Sequence, residues 1–180
     1  MIANREIEVV VITTSTRGLF GLKNHYSIDD LPANGNFNLV LDGLDRTVNR
    51  LVKAGKKVVI TVDNPTLQEP KKCFSRASGL DFVNDLLQLI PNRPLCHITF
   101  DKHMELSRQY REVLENLQMK YAGKLRIFDP LDLLCDMKNR ICGPILNGVL
   151  LYGYSDHISE RASVLVAKKL IPFVESFSQE

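Results

Sequence analysis

The stretch "IEVVVIT", residues 7–13, is a nearly continuous run of β-branched residues. Such a run is typical of a strand buried on both faces, as in a parallel sheet. A second run, "KVVITV" over residues 57–62, follows a segment with helical periodicity. The order strand, loop, helix and strand over residues 7–62 predicts a βαβ unit with a right-handed crossover. The helix is predicted from apolar residues at helical spacing and a glycine stop, namely Leu41, Leu44, Val48, Leu51, Val52 and Gly55.

The remainder of the chain continues the alternation of helices and strands. We predict a short helix over residues 80–90, stopped at Pro91, and a third strand, "LRIF", over residues 125–128. The clearest helix carries its apolar face from Leu106 to Tyr121, with Thr99 or Asp101 as its cap and Gly123 at its end. We also predict a short helix holding Cys135 and a small hairpin turning at Asn147–Gly148. The last helix should run from about Glu160 to Val174, with Ser159 as its N-cap. Its apolar side is formed by Val164, Leu165, Ala167 and Leu170.

Strands that alternate with helices predict an α/β fold with a parallel sheet. The 180 residues suit one domain. Three strands are few for such a sheet, and the first begins almost at residue 1 and is fully apolar. We therefore expect a partial domain, spanning residues 1–180, whose sheet is incomplete at its N-terminal strands. An exposed apolar edge of this kind favours aggregation, so we expect poor solubility for the chain expressed alone.

The composition argues against two kinds of partner. Lys and Arg number 23 against 21 Asp and Glu, and the net charge of +2 gives no reason to expect nucleic acid or an anionic membrane. No apolar run reaches the roughly 18 residues that would span a bilayer. The N-terminus carries no signal-peptide pattern, because Arg5, Glu6 and Glu8 interrupt it.

The four cysteines, Cys73, Cys96, Cys135 and Cys142, leave several interpretations open. None lies in a C-x-x-C pair, which argues against a redox motif or a zinc ribbon. Disulfides are favoured by the even count and the loop-like surroundings, and they would indicate an oxidising compartment. Four buried thiols, or a cytosolic zinc protein, are the alternatives.

His157 is the strongest candidate for chemistry. It stands beside Asp156 and just before the last helix. A histidine placed there can act as general base for a hydroxyl nucleophile if a carboxylate fixes its tautomer. The segments "TTSTRG", "DNPTLQEP" and "DPLDLL" follow the three strands and should converge at the carboxyl edge of the sheet, where such folds place their sites. The alternative is a surface histidine in a polar turn, and His25, His97 and His103 are weaker candidates.

The nucleophile is missing from the sequence. No G-x-S-x-G elbow and no G-D-S follow a strand, and no phosphate-binding glycine loop is present. Ser15 follows the first strand without the tight glycine turn that exposes a nucleophile. Ser155 is too close to His157 in the chain to adopt the required geometry.

The C-terminal third carries a resemblance. The segment "FDPLDLLCDMKNRICGPILNGVLLYGYSDHIS" has an Asp-Pro after the last strand, two cysteines a short gap apart, and then Leu-Tyr and Asp-His-Ile-Ser before a helix. It resembles the end of the SGNH-hydrolase-like domain fused to membrane acyltransferases of family 3, which modify cell-envelope polysaccharides, often by O-acetylation. The resemblance covers roughly residues 7–175 and implies a flavodoxin-like, three-layer SGNH fold with about five parallel strands.

The resemblance also implies roles for individual residues. It places Cys135 with Cys142 and Cys73 with Cys96 in disulfides, and it matches His157 to the catalytic histidine. Many members carry an Asp three residues before that histidine, where this chain has Tyr154, so Asp156 is the remaining orienter. An oxyanion role for Ser15 or Asn64 is a hypothesis, because "TTSTRG" lacks the Gly-x-Asn form.

The combined expectation is the C-terminal part of an SGNH domain from a cell-envelope O-acyltransferase. Its partners would be a membrane acyltransferase domain and a polysaccharide acceptor, at the periplasmic face of the inner membrane, with no metal and no cofactor. Because the family's Gly-Asp-Ser block precedes the matched region, we expect the chain to be inactive alone. The alternative is a non-catalytic module that binds glycans or a partner.

Overall fold

The computed structural model describes residues 4–21, 36–67, 96–154 and 157–180. The predicted helix over residues 80–90 lies outside these ranges. The helices are α1 (Thr16–Phe20), α2 (Phe37–Lys53), α3 (Phe100–Lys120), α4 (Leu131–Leu134) and α5 (Glu160–Ser178). The strands are β1 (Val9–Thr13), β2 (Lys57–Thr61), β3 (Ile98–Thr99), β4 (Leu125–Phe128), β5 (Cys135–Asp136), β6 (Ile141–Cys142), β7 (Ile145–Leu146), β8 (Val149–Leu150), β9 (Tyr152–Tyr154) and β10 (His157–Ile158).

The three long strands form a parallel sheet in the order β1-β2-β4. Val9 pairs with Lys57 and Thr13 with Thr61, and on the other side Val58 pairs with Leu125. The alternation of strands with α2 and α3 gives the parallel direction, since each helix returns the chain to the same end of the sheet. The predicted α/β class with a parallel sheet is confirmed.

Helices cover both faces of this sheet, which makes three layers. On one face α2 and α3 pack on Val58 and Ile60, and on the other face Val59 lies against α5. Val58, Val59 and Ile60 are fully buried because side chains alternate between the two covered faces. Each such side chain contributes roughly 1.5–3 kcal/mol relative to exposure. The core between the sheet and helices α2 and α3 includes Val40, Leu44, Val48, Tyr110, Val113, Leu114 and Leu117.

The end of α5 is tied to the beginning of β2. The Lys57 ammonium donates to the carbonyls of Phe177 at 2.7 Å and Ser178 at 3.2 Å. Carbonyls in the last turn of a helix have no partner within the helix, and the lysine charge also suits the negative end of the helix dipole. The Phe177 side chain is buried beneath it, against Val59 and Phe128. One lysine therefore fixes the end of α5 across the sheet.

Short antiparallel strands build the remaining part of the fold around a disulfide. Strands β3, β6 and β5 form one small sheet, in which Cys135 faces Cys142. These two cysteines are joined by a disulfide, as the resemblance implied. Strands β7 and β8 form the predicted hairpin, and Asn147 and Gly148 both have the positive φ that its two-residue turn requires.

The helix caps agree with the sequence patterns. Thr99, and not Asp101, caps α3, because the Thr99 hydroxyl accepts a hydrogen bond from the Lys102 amide at 3.2 Å. Ser159 caps α5 by accepting from the Ala162 amide at 3.1 Å. Both caps satisfy an amide that the first helical turn leaves without a partner.

Four details differ from prediction. Residues 16–20, expected as loop, form α1, and Cys135 begins β5 instead of lying in the preceding helix. Val164, predicted on the apolar side of α5, is 49% exposed, because it lies on the opposite side of the helix from the packed residues Ala162 and Val166. β1 is not buried on both faces: Val11 is 40% exposed, since among the described strands β1 pairs with β2 alone.

Candidate functional site

The loops after β1 and β2 meet at the carboxyl edge of the sheet, as the sequence predicted. The Thr61 hydroxyl donates to the Thr13 hydroxyl oxygen at 3.0 Å, and the Thr16 amide donates to Asp63 Oδ2 at 2.8 Å. The Val62 amide donates to the carbonyl of Phe128, the last residue of β4, at 2.8 Å, and Pro130 of the following loop lines one cleft with Asp63 and Asn64. This edge is where parallel α/β sheets place their sites.

Asp63 organises the meeting point of these loops. Its carboxylate accepts from the Thr16 amide and, at 3.0 Å, from the Asn64 amide. Hydrogen bonds from backbone amides to a carboxylate are charge-assisted and hold both partners firmly. Asp63 is not among the site residues that the sequence predicts. Its position directly after the buried strand β2 was the signal that could have identified it.

The two oxyanion candidates lie in different surroundings. Asn64 is half-buried, and its side-chain amide donates to the Pro65 carbonyl at 3.2 Å. Ser15 is exposed at the start of α1, where its hydroxyl accepts from the Gly18 amide at a long 3.5 Å. Asn64 therefore stands at the edge of the sheet with its side chain oriented, whereas Ser15 behaves as a helix-start residue.

The segment around His157 is bound to the loop after β2. Strand β10 pairs antiparallel with β9, with His157 opposite Tyr154 and Ile158 opposite Tyr152. The Tyr152 side chain is fully buried, and its hydroxyl donates to the Pro65 carbonyl at 2.6 Å. His157 itself is exposed. Ser155 and Asp156 lie outside the described residues, so the role of Asp156 as orienter stays a prediction.

A small cleft of about 260 Å³ lies between this segment, α5 and the carboxyl edge of the sheet. Its polar lining includes Asp63, Asn64 and Ser163, and Ile158, the neighbour of His157, forms part of its wall. Its other walls are mostly apolar (Val62, Pro130, Leu134, Val166, Ala167 and Leu170). The structure thus brings Asn64 and the His157 segment to one cleft. Ser15 is not among the described residues that line it.

A second, smaller cavity lies behind the same loops. Its volume is about 20 Å³, room for about one water molecule. His103 contributes to its wall together with Asp63, Asn64 and Tyr110. The His103 side chain is 6% exposed, and its Nε2 has no hydrogen-bond partner among the described residues. His103 is a weak candidate by sequence because no patterned partner accompanies it, whereas the structure places it directly behind the site loops.

Burial also controls the charge of His103. Loss of solvent, assisted by the nearby Arg111 guanidinium and opposed by Asp129, lowers the pKa of His103 to about 4. The imidazole is therefore neutral at physiological pH. A protonated His103 would be a buried cation with no carboxylate in hydrogen-bond contact, and burying such a charge is costly.

Tyr110 joins α3 to the ends of β1 and β2. Its hydroxyl is 2.9 Å from Thr14 Oγ1 and donates to the Thr61 carbonyl at 3.3 Å. Because the side chain is buried, the pKa of Tyr110 rises to about 12. This hydroxyl keeps its proton and positions the first two loops.

The described residues hold neither a metal centre nor a membrane-spanning element. Among them, no group of three or more His, Cys, Asp and Glu side chains is arranged to bind a metal ion. None of the helices in these ranges combines the length and apolar composition needed to cross a bilayer. Cys96 takes part in a disulfide, and its predicted partner Cys73 lies outside the described residues.

Comparison with known proteins places most of the sequence in one family model. Residues 1–172 match the model described as the SGNH domain that is fused to AT3 domains. No curated protein matches the chain. Among solved structures, the chain is similar to a candidate platelet activating factor from Streptococcus pneumonia, with 12% sequence identity and a TM-score of 0.47 over 96% of this chain and 86% of that chain.

Proposed function

Because the chain belongs to the family of SGNH domains fused to AT3 domains, we propose that it serves acyl transfer to a cell-envelope polysaccharide. Its partner would be a membrane acyltransferase domain, on the periplasmic face of the inner membrane. The fusion described for the family supports the partner. The Cys135–Cys142 disulfide supports an oxidising compartment, where such bonds persist.

His157 would act as the general base of this reaction. Its imidazole would take the proton of a hydroxyl nucleophile as the oxygen attacks the acyl carbon, and would return that proton to the leaving oxygen. Asp156 would fix the tautomer. Asn64 is the better oxyanion candidate than Ser15, because Asn64 lines the cleft beside the His157 segment and Ser15 does not. That shared cleft is the observation on which the proposal rests.

The hydroxyl nucleophile would come from outside these 180 residues, which contain no Gly-Asp-Ser sequence. We therefore expect the purified chain alone to hydrolyse p-nitrophenyl acetate no faster than the His157→Ala variant does. Hydrolysis that disappears in His157→Ala would contradict the expectation of inactivity and would show that the chain carries its own nucleophile.

The role of His157 is tested in cells that produce the chain together with an AT3 membrane domain of the same family. The measured quantity is the O-acetyl content of the envelope polysaccharide. His157→Ala should lower it about 100-fold or more, the usual contribution of a general base. The matched control is His97→Ala, which removes an exposed histidine that does not line the cleft. Equal acetylation by both variants would reject His157 as the base.

A non-catalytic module is the second candidate function. It is favoured by the absence of the Gly-Asp-Ser sequence from the chain. In that case polysaccharide acetylation would depend on the presence of the domain but would be unchanged in His157→Ala. The coding sequence adjoining Met1 also separates the two, because a segment with transmembrane helices and a Gly-Asp-Ser block would favour acyl transfer.

A further inference from the structure

The buried imidazole of His103 carries a polar atom that has no protein partner in the described parts of the chain. His103 lies in the first turn of α3 and is 6% exposed, and the atom without a hydrogen bond is its Nε2. Because the pKa of His103 is about 4, the ring is neutral, with one nitrogen as donor and the other as acceptor. Burying either kind of nitrogen without a partner costs free energy. Native proteins commonly satisfy such atoms with an ordered water.

The small cavity behind the site loops has room for that water. Its volume of about 20 Å³ exceeds the roughly 10–15 Å³ that one water molecule needs. Polar residues line it from the loops after β1 and β2 and from α3, namely Thr16, Asp63, Asn64, Thr66, His103, Ser107 and Tyr110. Polar walls of this kind favour a bound water, whereas an apolar cavity stays dry.

Water suits both neutral forms of His103. It donates to Nε2 when the ring proton is on Nδ1, and it accepts from Nε2 when the proton is there. A carboxylate in direct contact could serve only the second form, because an ionised carboxylate has no proton to donate. A bridging water therefore satisfies Nε2 without fixing the tautomer in advance.

Asp63 is the second partner that the cavity wall offers to the water. Its Oδ2 accepts from the Thr16 amide at 2.8 Å, and its Oδ1 accepts from the Asn64 amide at 3.0 Å. Each carboxylate oxygen has about two lone pairs, so Asp63 can also accept a hydrogen bond from a water. The Tyr110 hydroxyl is a poorer partner, because it is already engaged at the ends of β1 and β2.

Asp63 and Asn64 separate the small cavity from the cleft. Both residues line the small cavity and also the cleft of about 260 Å³. A water bound behind them would therefore support the wall that faces the cleft. Helix α3 gives this support a fixed end, because Thr99 caps its first turn and His103 lies within that turn.

We propose that a water bound in the small cavity joins His103 Nε2 to the Asp63 carboxylate and holds the Asp63–Asn64 wall of the cleft in place. His103 is then a positioning residue, which acts on the cleft through the water and Asp63 and does not touch a substrate. This role concerns the position of the wall and does not depend on the acyl-transfer function.

A crystal structure of the unmodified chain, at a resolution that reveals ordered waters, tests the bridge directly. We expect one water within about 3.2 Å of both His103 Nε2 and a carboxylate oxygen of Asp63. A dry cavity would overturn the proposal, and so would a direct bond between Nε2 and Asp63 with no water between them. Because no residue is changed, this measurement does not depend on the folding of a variant.

Amide hydrogen exchange tests whether the water holds the wall. The reporter is the Thr16 amide, which donates to Asp63 Oδ2, and the reference is the Val58 amide of β2, which donates to the Lys124 carbonyl at 2.9 Å. The variant His103→Phe keeps an aromatic ring and removes both ring nitrogens. Its Thr16 amide should exchange about tenfold faster relative to the Val58 amide, because losing a buried hydrogen-bond partner loosens the loop locally.

Two further variants make the exchange test specific. His103→Gln places a polar group near the position of Nε2 and should restore most of the protection of the Thr16 amide. His97→Phe removes an exposed histidine that does not line the cavity and should leave the exchange of the Thr16 amide unchanged. Equal acceleration of the Thr16 and Val58 amides in His103→Phe would indicate a general loss of stability and would reject the positioning role. Unchanged exchange in His103→Phe, or no recovery in His103→Gln, would reject it as well.

Discussion

At the scale of single residues, the carboxyl edge of the sheet is held by buried polar side chains that match no sequence motif. Asp63 binds two loop amides, and Tyr110 connects α3 to the first two strands. His103 could have been predicted as buried, because it falls on the apolar stripe of α3 with Leu106 and Tyr110. Its place behind the site loops could not, because helical periodicity does not say which loops fold over the first turn of α3.

His103 makes the stability of the protein depend on pH. Its pKa is about 4 in the folded protein and about 6.5 in an unfolded chain. Between these values the unfolded chain binds more protons, so the free energy of unfolding falls as the pH is lowered, by about 3 kcal/mol over the whole interval. Urea unfolding at pH 7 and pH 4 measures this loss.

The variant His103→Gln should lack this part of the pH dependence, because glutamine does not titrate. His97→Gln provides the control at an exposed histidine and should retain the pH dependence. If His103→Gln and the unmodified protein lose the same stability on acidification, then His103 is not the group responsible.

At the scale of elements, local patterns predicted the longer units and missed those that depend on tertiary pairing. β2, β4, α2 and α3 follow from hydrophobic periodicity, and the β7–β8 hairpin follows from Asn147–Gly148. The two-residue strands β3, β5 and β6 have too few residues to show any period. They are strands because they pair with each other around the disulfide.

The N-cap of α5 is a test at this scale. Ser159→Ala removes the hydroxyl that accepts from Ala162 and donates to the Leu150 carbonyl at 2.5 Å. The free energy of unfolding should fall by about 1–2 kcal/mol, since a cap and a second hydrogen bond are both lost. Urea denaturation measures the change. Ser163→Ala, which removes only an exposed bond to the Ser159 carbonyl, should cost less than about 0.5 kcal/mol.

At the scale of the whole molecule, the three-layer arrangement followed from the order of strands and helices, whereas the exposure of β1 did not. Its apolar run predicted burial on both faces, and Val11 is instead 40% exposed. Composition reports what a strand can bury, not which strands lie beside it. The disulfide between Cys135 and Cys142 came from the family resemblance, because spacing alone left thiols and zinc as alternatives.

The disulfide should stabilise the entire fold. It closes a loop with a sequence separation of 7 residues, for which the chain-entropy relation gives about 2.5 kcal/mol. The double variant Cys135→Ala, Cys142→Ala should therefore unfold at lower urea concentration by that free energy, in one cooperative transition. A variant as stable as the parent protein would mean that the bond does not constrain the unfolded chain.

The link between Lys57 and the end of α5 determines when the sheet becomes covered during synthesis. The two partners are 120 residues apart in the chain. While the ribosome is producing the intervening residues, the face of β2 that carries Val59 has no helix over it. Long-range contacts of this kind slow folding, and the uncovered strand can meanwhile associate with other nascent chains. A chaperone that protects apolar strands should therefore bind this chain before Phe177 has emerged, and should release it when α5 docks.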